Sequence, residues 1–112
     1  YNLVAAASED GQWGESEIIN AEVPGLSSDF YIQPGDSGCF IAWRGYYDGT
    51  YNLFGTAYDG GVGSKFILDS EPGIIEYTCL IVPSGAGYRS FWYQKDSRNL
   101  SIYNLWTNRV VP

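Results

Sequence analysis

A chain of 112 residues with 45 % apolar content has the length of one domain and the means to build a packed core, which argues against disorder. The net charge of −7 sets the surface against phosphate, and so against nucleic acid as a partner. No apolar run approaches the length of a membrane span, so no membrane-crossing segment is expected.

Ten Tyr, five Phe and four Trp favour strands, and the chain lacks the long Lys, Glu, Ala or Leu runs that favour helices. Residues 2–7 offer a first strand or one helical turn, and Asp10-Gly11 marks a turn. Residues 12–23 carry Trp13, Ile18, Ile19 and Val23 with Glu15, Glu17 and Glu22 between them, the pattern of an edge strand guarded by charge. Pro24-Gly25 and Ser27-Ser28 end it, and a short strand over 29–33 stops at Pro34-Gly35.

Residues 38–58 form the centre of the pattern. Two apolar-aromatic runs flank Asp48-Gly49, the strongest short hairpin signal. A two-residue loop there sets Tyr47 opposite Thr50, Trp43 opposite Phe54, Ile41 opposite Thr56 and Cys39 opposite Tyr58. This set shares one face, predicted to be the core face. The other face carries Phe40, Ala42, Arg44, Tyr46, Tyr51, Leu53, Gly55 and Ala57, and its mixed character predicts partial cover.

A Gly-rich turn at 59–64 leads to a strand over 65–69, a turn at Glu71-Pro72-Gly73, and a buried strand over 74–82, the most apolar run of the chain. After a turn at 83–87, residues 88–95 and 100–106 read as a closing hairpin around Asp96-Ser97-Arg98-Asn99. Turns at intervals of roughly 8–12 residues mark an all-β fold. The expectation is a single domain over 1–112: an antiparallel β-sandwich, with a barrel as the alternative, of about eight or nine short strands.

Two cysteines allow one intramolecular bridge, Cys39 to Cys79. Closing that loop would destabilise the unfolded chain by roughly 4 kcal/mol in the entropy model. Asn99-Leu100-Ser101 is a glycosylation sequon. The chain begins at Tyr1 and contains no Met, which suggests removal of a signal peptide. Together these predict a mature, secreted, disulfide-bonded extracellular glycoprotein.

Charge is unevenly spread. Residues 1–76 hold 12 acids and two bases, whereas residues 77–112 hold Asp96 against Arg89, Lys95, Arg98 and Arg109. Either the two ends lie side by side and neutralise each other, or they form complementary faces that pair copies or attract an anion.

Gly35-Asp36-Ser37-Gly38 resembles the sequence around the nucleophilic serine of chymotrypsin-like proteases, but the chain has no histidine to serve as general base. Tyr77-Thr78-Cys79 resembles the tyrosine corner of immunoglobulin domains, which implies a sandwich and leaves function open. Ser64-Lys65 reverses the order a phosphate loop needs. With no His and both Cys assigned to a bridge, no zinc site is expected, and Asp48, Asp59 and Asp69 form no ordered calcium series. Nothing singles out a catalytic pair among the 13 acids. No enzyme activity, metal or cofactor is expected.

The aromatics carry the functional expectation. Tyr46, Tyr47 and Tyr51 surround the tip at Asp48, and Trp92 lies beside Phe91 and Tyr93 on one strand whose neighbours face opposite ways. Trp13, Trp43 and Trp106 are expected to be buried. The predicted ligand-binding residues are Tyr46, Tyr47, Asp48, Tyr51 and Trp92. The predicted function is a non-enzymatic recognition protein, lectin-like or immunomodulatory, that binds an extracellular glycan or a cell-surface protein. The alternative is a self-assembling or homodimeric structural protein; a small hydrolase or hydrolase inhibitor is the third reading.

Overall fold

The computed structural model describes residues 2–20, 26–47, 50–69, 79–96 and 98–112. Among them there is no helix, and each paired strand runs antiparallel to its neighbour. Among the described residues no helix is long and apolar enough to cross a membrane.

The chain opens with four two-residue strands: β1 (Val4–Ala5), β2 (Ser8–Glu9), β3 (Gln12–Trp13) and β4 (Glu17–Ile18). They nest, β2 pairing with β3 inside the β1–β4 pair. The inner turn is Asp10-Gly11, with φ of 50° and 78°, the two positive values that a two-residue type I′ hairpin demands. Residues 12–20 therefore do not make one edge strand. Gly14-Glu15-Ser16 separates the two pieces, and Gly14 N–H donates to Ala7 C=O at 2.8 Å.

Next comes a four-stranded meander of β5 (Leu26–Pro34), β6 (Cys39–Tyr47), β7 (Thr50–Tyr58) and β8 (Val62–Ile67), in that order across the sheet. The β6–β7 register is the expected one, with Tyr47 on Thr50, Trp43 on Phe54, Ile41 on Thr56 and Cys39 on Tyr58. Asp48 and Gly49 themselves lie outside the described residues. The pairing of β7 with β8 is irregular between Thr56 and Tyr58, and the Thr56 hydroxyl lies 3.1 Å from Gly63 C=O and 3.0 Å from Ser64 C=O. This buried side chain supplies a donor where the ladder is interrupted.

A three-stranded meander closes the chain: β9 (Leu80–Ser84), β10 (Gly87–Lys95) and β11 (Tyr103–Val110). The expected strand over 74–82 is observed from Leu80 onward, and its residues 74–78 lie outside the described ones. The final loop is longer than expected, because Lys95 pairs with Tyr103. Asp96 organises it: its carboxylate accepts from Arg98 N–H at 2.7 Å and from Asn104 Nδ2 at 3.2 Å. These bonds and the Arg98 guanidinium hold its carboxyl well below the usual range. Leu100 thereby falls in the turn and not on a strand.

Both faces of the four-stranded sheet are used. Phe40, Ala42, Leu53 and Leu68 pack against Cys79, Ile81, Trp92 and Val110 of the other sheet, with Tyr88 and Trp106 at the margin. Phe40 and Tyr88 stack at 4.9 Å across this core. On the opposite face Ile41, Trp43 and Phe54 are covered by Ile19, Leu3 and Ala5 of the N-terminal segment. The face expected to be only partly covered thus holds the inter-sheet core, where Phe40 and Ala42 are 0 % exposed. Strand alternation feeds two cores, and the described strands stay in open sheets without closing a barrel.

The same alternation corrects the disulfide. Cys39 and Cys79 are free thiols. Cys39 shares the parity of Ile41 and Trp43 and packs beneath the N-terminal segment. Cys79 sits in the inter-sheet core with Phe40 and Ala42. The β-sheet itself stands between them, so no bridge forms. Burial pushes the Cys79 thiol up to about 12 and raises that of Cys39.

Candidate functional site

Past Ala42 and Leu53 the β6–β7 hairpin leaves the core, and the next residues on that face are Arg44, Tyr46 and Tyr51. Tyr46 is 54 % and Tyr51 39 % exposed. Their rings meet edge to face at 5.2 Å and 72°, and the Arg44 guanidinium carbon lies 4.9 Å from the centre of the Tyr51 ring. Two of the expected contact residues are therefore joined in one surface cluster, with a cation that sequence reasoning did not assign to it. The Tyr47 side chain and Asp48 lie outside the described residues.

Trp92 belongs elsewhere. It is 2 % exposed in the inter-sheet core, where its indole N–H donates to Gln94 Oε1 at 3.1 Å. That burial removes Trp92 from the candidate contact residues. Strand alternation instead turns Tyr93 outward, edge to face with Tyr103 at 5.7 Å. Of the other tryptophans, Trp43 is buried and Trp106 half-buried, but Trp13 is 74 % exposed, two residues beyond the Asp10-Gly11 turn. Asn99 is exposed in the 96–102 turn, its Oδ1 accepting from Ser101 N–H at 3.0 Å.

Sequence reasoning missed a second surface, the outer face of β9, β10 and β11. Leu80, Tyr93, Tyr103 and Leu105 are exposed there, Leu105 at 76 %. The signal was present in the 103–110 stretch: once Trp106 turns inward, Tyr103 and Leu105 must turn outward. The same face carries Arg89, Lys95 and Arg109, and these three strands hold no acid. The four acids of residues 2–20 (Glu9, Asp10, Glu15 and Glu17) lie on the N-terminal segment, which covers the other side of the central sheet. Through Leu3, Ala5 and Ile19 this segment packs on the face of the central sheet opposite to the one that β9–β11 cover.

Clefts open at the loops, two of them lined by described residues. One, about 430 Å³, lies between 35–37 and 83–88 and includes Asp36, Ser37 and Tyr88. Ser37 is the residue of the protease-like tetrapeptide, and with no histidine in the chain it has no imidazole partner there. The other, about 380 Å³, is lined by Ala7, residues 14–17, Tyr58 and Gly60, and Glu17 Oε1 is already engaged, accepting from Val62 N–H at 3.0 Å. Among the described residues no three His, Cys, Asp or Glu side chains are grouped to hold a metal ion.

No family model, no curated protein and no solved structure matches the chain.

Proposed function

We propose that this chain is a secreted, non-enzymatic recognition protein that binds an extracellular glycan or a cell-surface protein through the exposed aromatics at the end of its central hairpin. On this reading the fold is an antiparallel β-sandwich with an added N-terminal layer, and Asn99 carries a glycan. The observation that supports the site is the exposed Tyr46–Tyr51 pair with Arg44 over one ring. Tyrosine offers a flat apolar ring and a polar edge, which suits stacking on a sugar or anchoring a protein. The guanidinium adds donors for sugar hydroxyls or a carboxylate. A lectin-like or immunomodulatory role is what such a contact would serve.

The test is binding of labelled protein to a glycan array and to intact cells, with cell samples treated by glycosidase or by protease to separate the two partner classes. Tyr46→Ala and Tyr51→Ala should each reduce binding while the melting temperature is nearly kept. Unchanged affinity in both folded variants would refute the assignment of the site.

A further inference from the structure

We infer that copies of this chain associate head to tail, the acidic N-terminal segment of one copy docking on the basic outer face of β9–β11 of the next. This surface is separate from the Tyr46–Tyr51 cluster. Each side presents uncovered apolar side chains: Val4, Trp13 and Ile18 on one, Leu80, Tyr103 and Leu105 on the other. Large exposed apolar groups set among polar ones mark interaction surfaces. Their charges are complementary, Glu9, Asp10 and Glu15 of one copy meeting Arg89, Lys95 and Arg109 of the next, while Glu17 stays on Val62 N–H of its own chain. Lys65 of β8 also points to the N-terminal side and lowers the acidic surplus there without reversing it.

Arg89 and Arg109 are direct cross-strand partners. Like charges placed opposite each other destabilise a sheet. Among the described residues neither has a carboxylate within ion-pair distance: Arg89 donates to Thr107 Oγ1 at 3.2 Å, and Arg109 donates to Ser84 C=O at 3.1 and 2.9 Å. A neighbour's carboxylate would relieve the repulsion. Either face against itself would instead juxtapose like charges, so a two-fold dimer through one face is disfavoured. Acid-on-base stacking uses two different surfaces of the protomer, which makes the contact heterologous and leaves one surface of each kind free at the ends.

The experiment is sedimentation velocity over a concentration series at low and high salt, with two surface variants. The wild-type mass should rise with concentration at low salt, and association should weaken by roughly tenfold or more at about 1 M salt, where screening is nearly complete. Leu105→Asp disables the basic face and Trp13→Arg the acidic face, so each alone should stay monomeric. Mixed, they retain one complementary pair of faces and should form a one-to-one dimer that grows no further. Circular dichroism and melting curves check that both variants fold; if either does not, the wild-type salt series decides. Wild type that stays monomeric, association indifferent to salt, or folded variants that stay monomeric when mixed would overturn the inference. Tyr46→Ala should leave assembly unchanged, which separates this result from the fate of the binding site.

Discussion

Asp69 offers the sharpest test of the core. It lies two residues past the end of β8 and is 5 % exposed. Its Oδ1 accepts from Leu53 N–H at 2.9 Å, standing in for a ladder carbonyl, while Oδ2 is buried with no partner among the described residues. Burial raises its pKa above the ordinary 3.8, against the lowering effect of the backbone hydrogen bonds. The folded state therefore holds a proton that the unfolded chain has already released. Between the ordinary carboxylate range and the raised folded value, the native state binds more protons and stability falls as pH rises. The limiting slope for one such group is about 1.4 kcal/mol per pH unit.

Asp69→Asn keeps a carbonyl oxygen for Leu53 N–H and removes the charge. An unpartnered buried polar atom costs about 1–3 kcal/mol, and more when charged. The Asn Nδ2 that takes the place of Oδ2 is itself left without a partner, so only the extra cost of the charge is removed, and the variant should exceed wild type by about 1–2 kcal/mol at neutral pH. Near pH 3 Asp69 is protonated in both states, and the difference should vanish. Urea titrations of both proteins from pH 3 to pH 8 give the result directly, because the other carboxylates cancel in the comparison. A variant less stable at neutral pH, or a gap that ignores pH, would show that the Asp69 charge is compensated in the fold.

Two further outcomes follow from the packing. Unfolded, unreduced protein should titrate two thiols per chain, and in the native state Cys79 should resist alkylation, since burial holds its pKa at about 12; mass spectrometry after iodoacetamide reads both. Gly55→Ala would place a Cβ 2.7 Å from Phe40 Cζ and 3.0 Å from Leu68 Cδ1, so overpacking should cost about 1–3 kcal/mol by chemical denaturation.

What the sequence discloses is local, and its limits are physical. The β6–β7 register was readable because a two-residue loop and a period of two fix every pair from Tyr47 on Thr50 to Cys39 on Tyr58. Which face is covered was not readable, since cover depends on segments far along the chain. The N-terminal segment supplies it on one face, and β9–β11 on the other. The cysteine count suggested a bridge, but counting ignores that Cys39 and Cys79 enter different cores. The β10–β11 register was missed because Asp96 caps a longer turn, so the outward row of Tyr103 and Leu105 stayed hidden. Trp13 was expected inside with Trp43 and Trp106, yet on its two-residue strand no described residue covers that ring. At the candidate site, Tyr46 and Tyr51 were legible as tip residues, while Trp92 failed on the parity that sends Tyr93 outward.

Two aromatic pairs on the same hairpin now separate stability from binding. Trp43 and Phe54 stack at 5.9 Å, both at most 2 % exposed, while Tyr46 and Tyr51 meet edge to face in solvent. Truncating Trp43 to Ala leaves a cavity under the N-terminal segment and should cost about 3–5 kcal/mol, even after the unpartnered indole N–H is removed with it. Tyr46→Ala removes an exposed edge-to-face pair, worth about 0.5–1.5 kcal/mol beyond area burial, and opens no core cavity. Thermal melting of both variants should therefore show a large drop for Trp43→Ala and a small one for Tyr46→Ala. A loss for Tyr46→Ala as large as that for Trp43→Ala would mean that the pair holds the hairpin together. The case for the tyrosines as a contact surface rests on the fold not needing them.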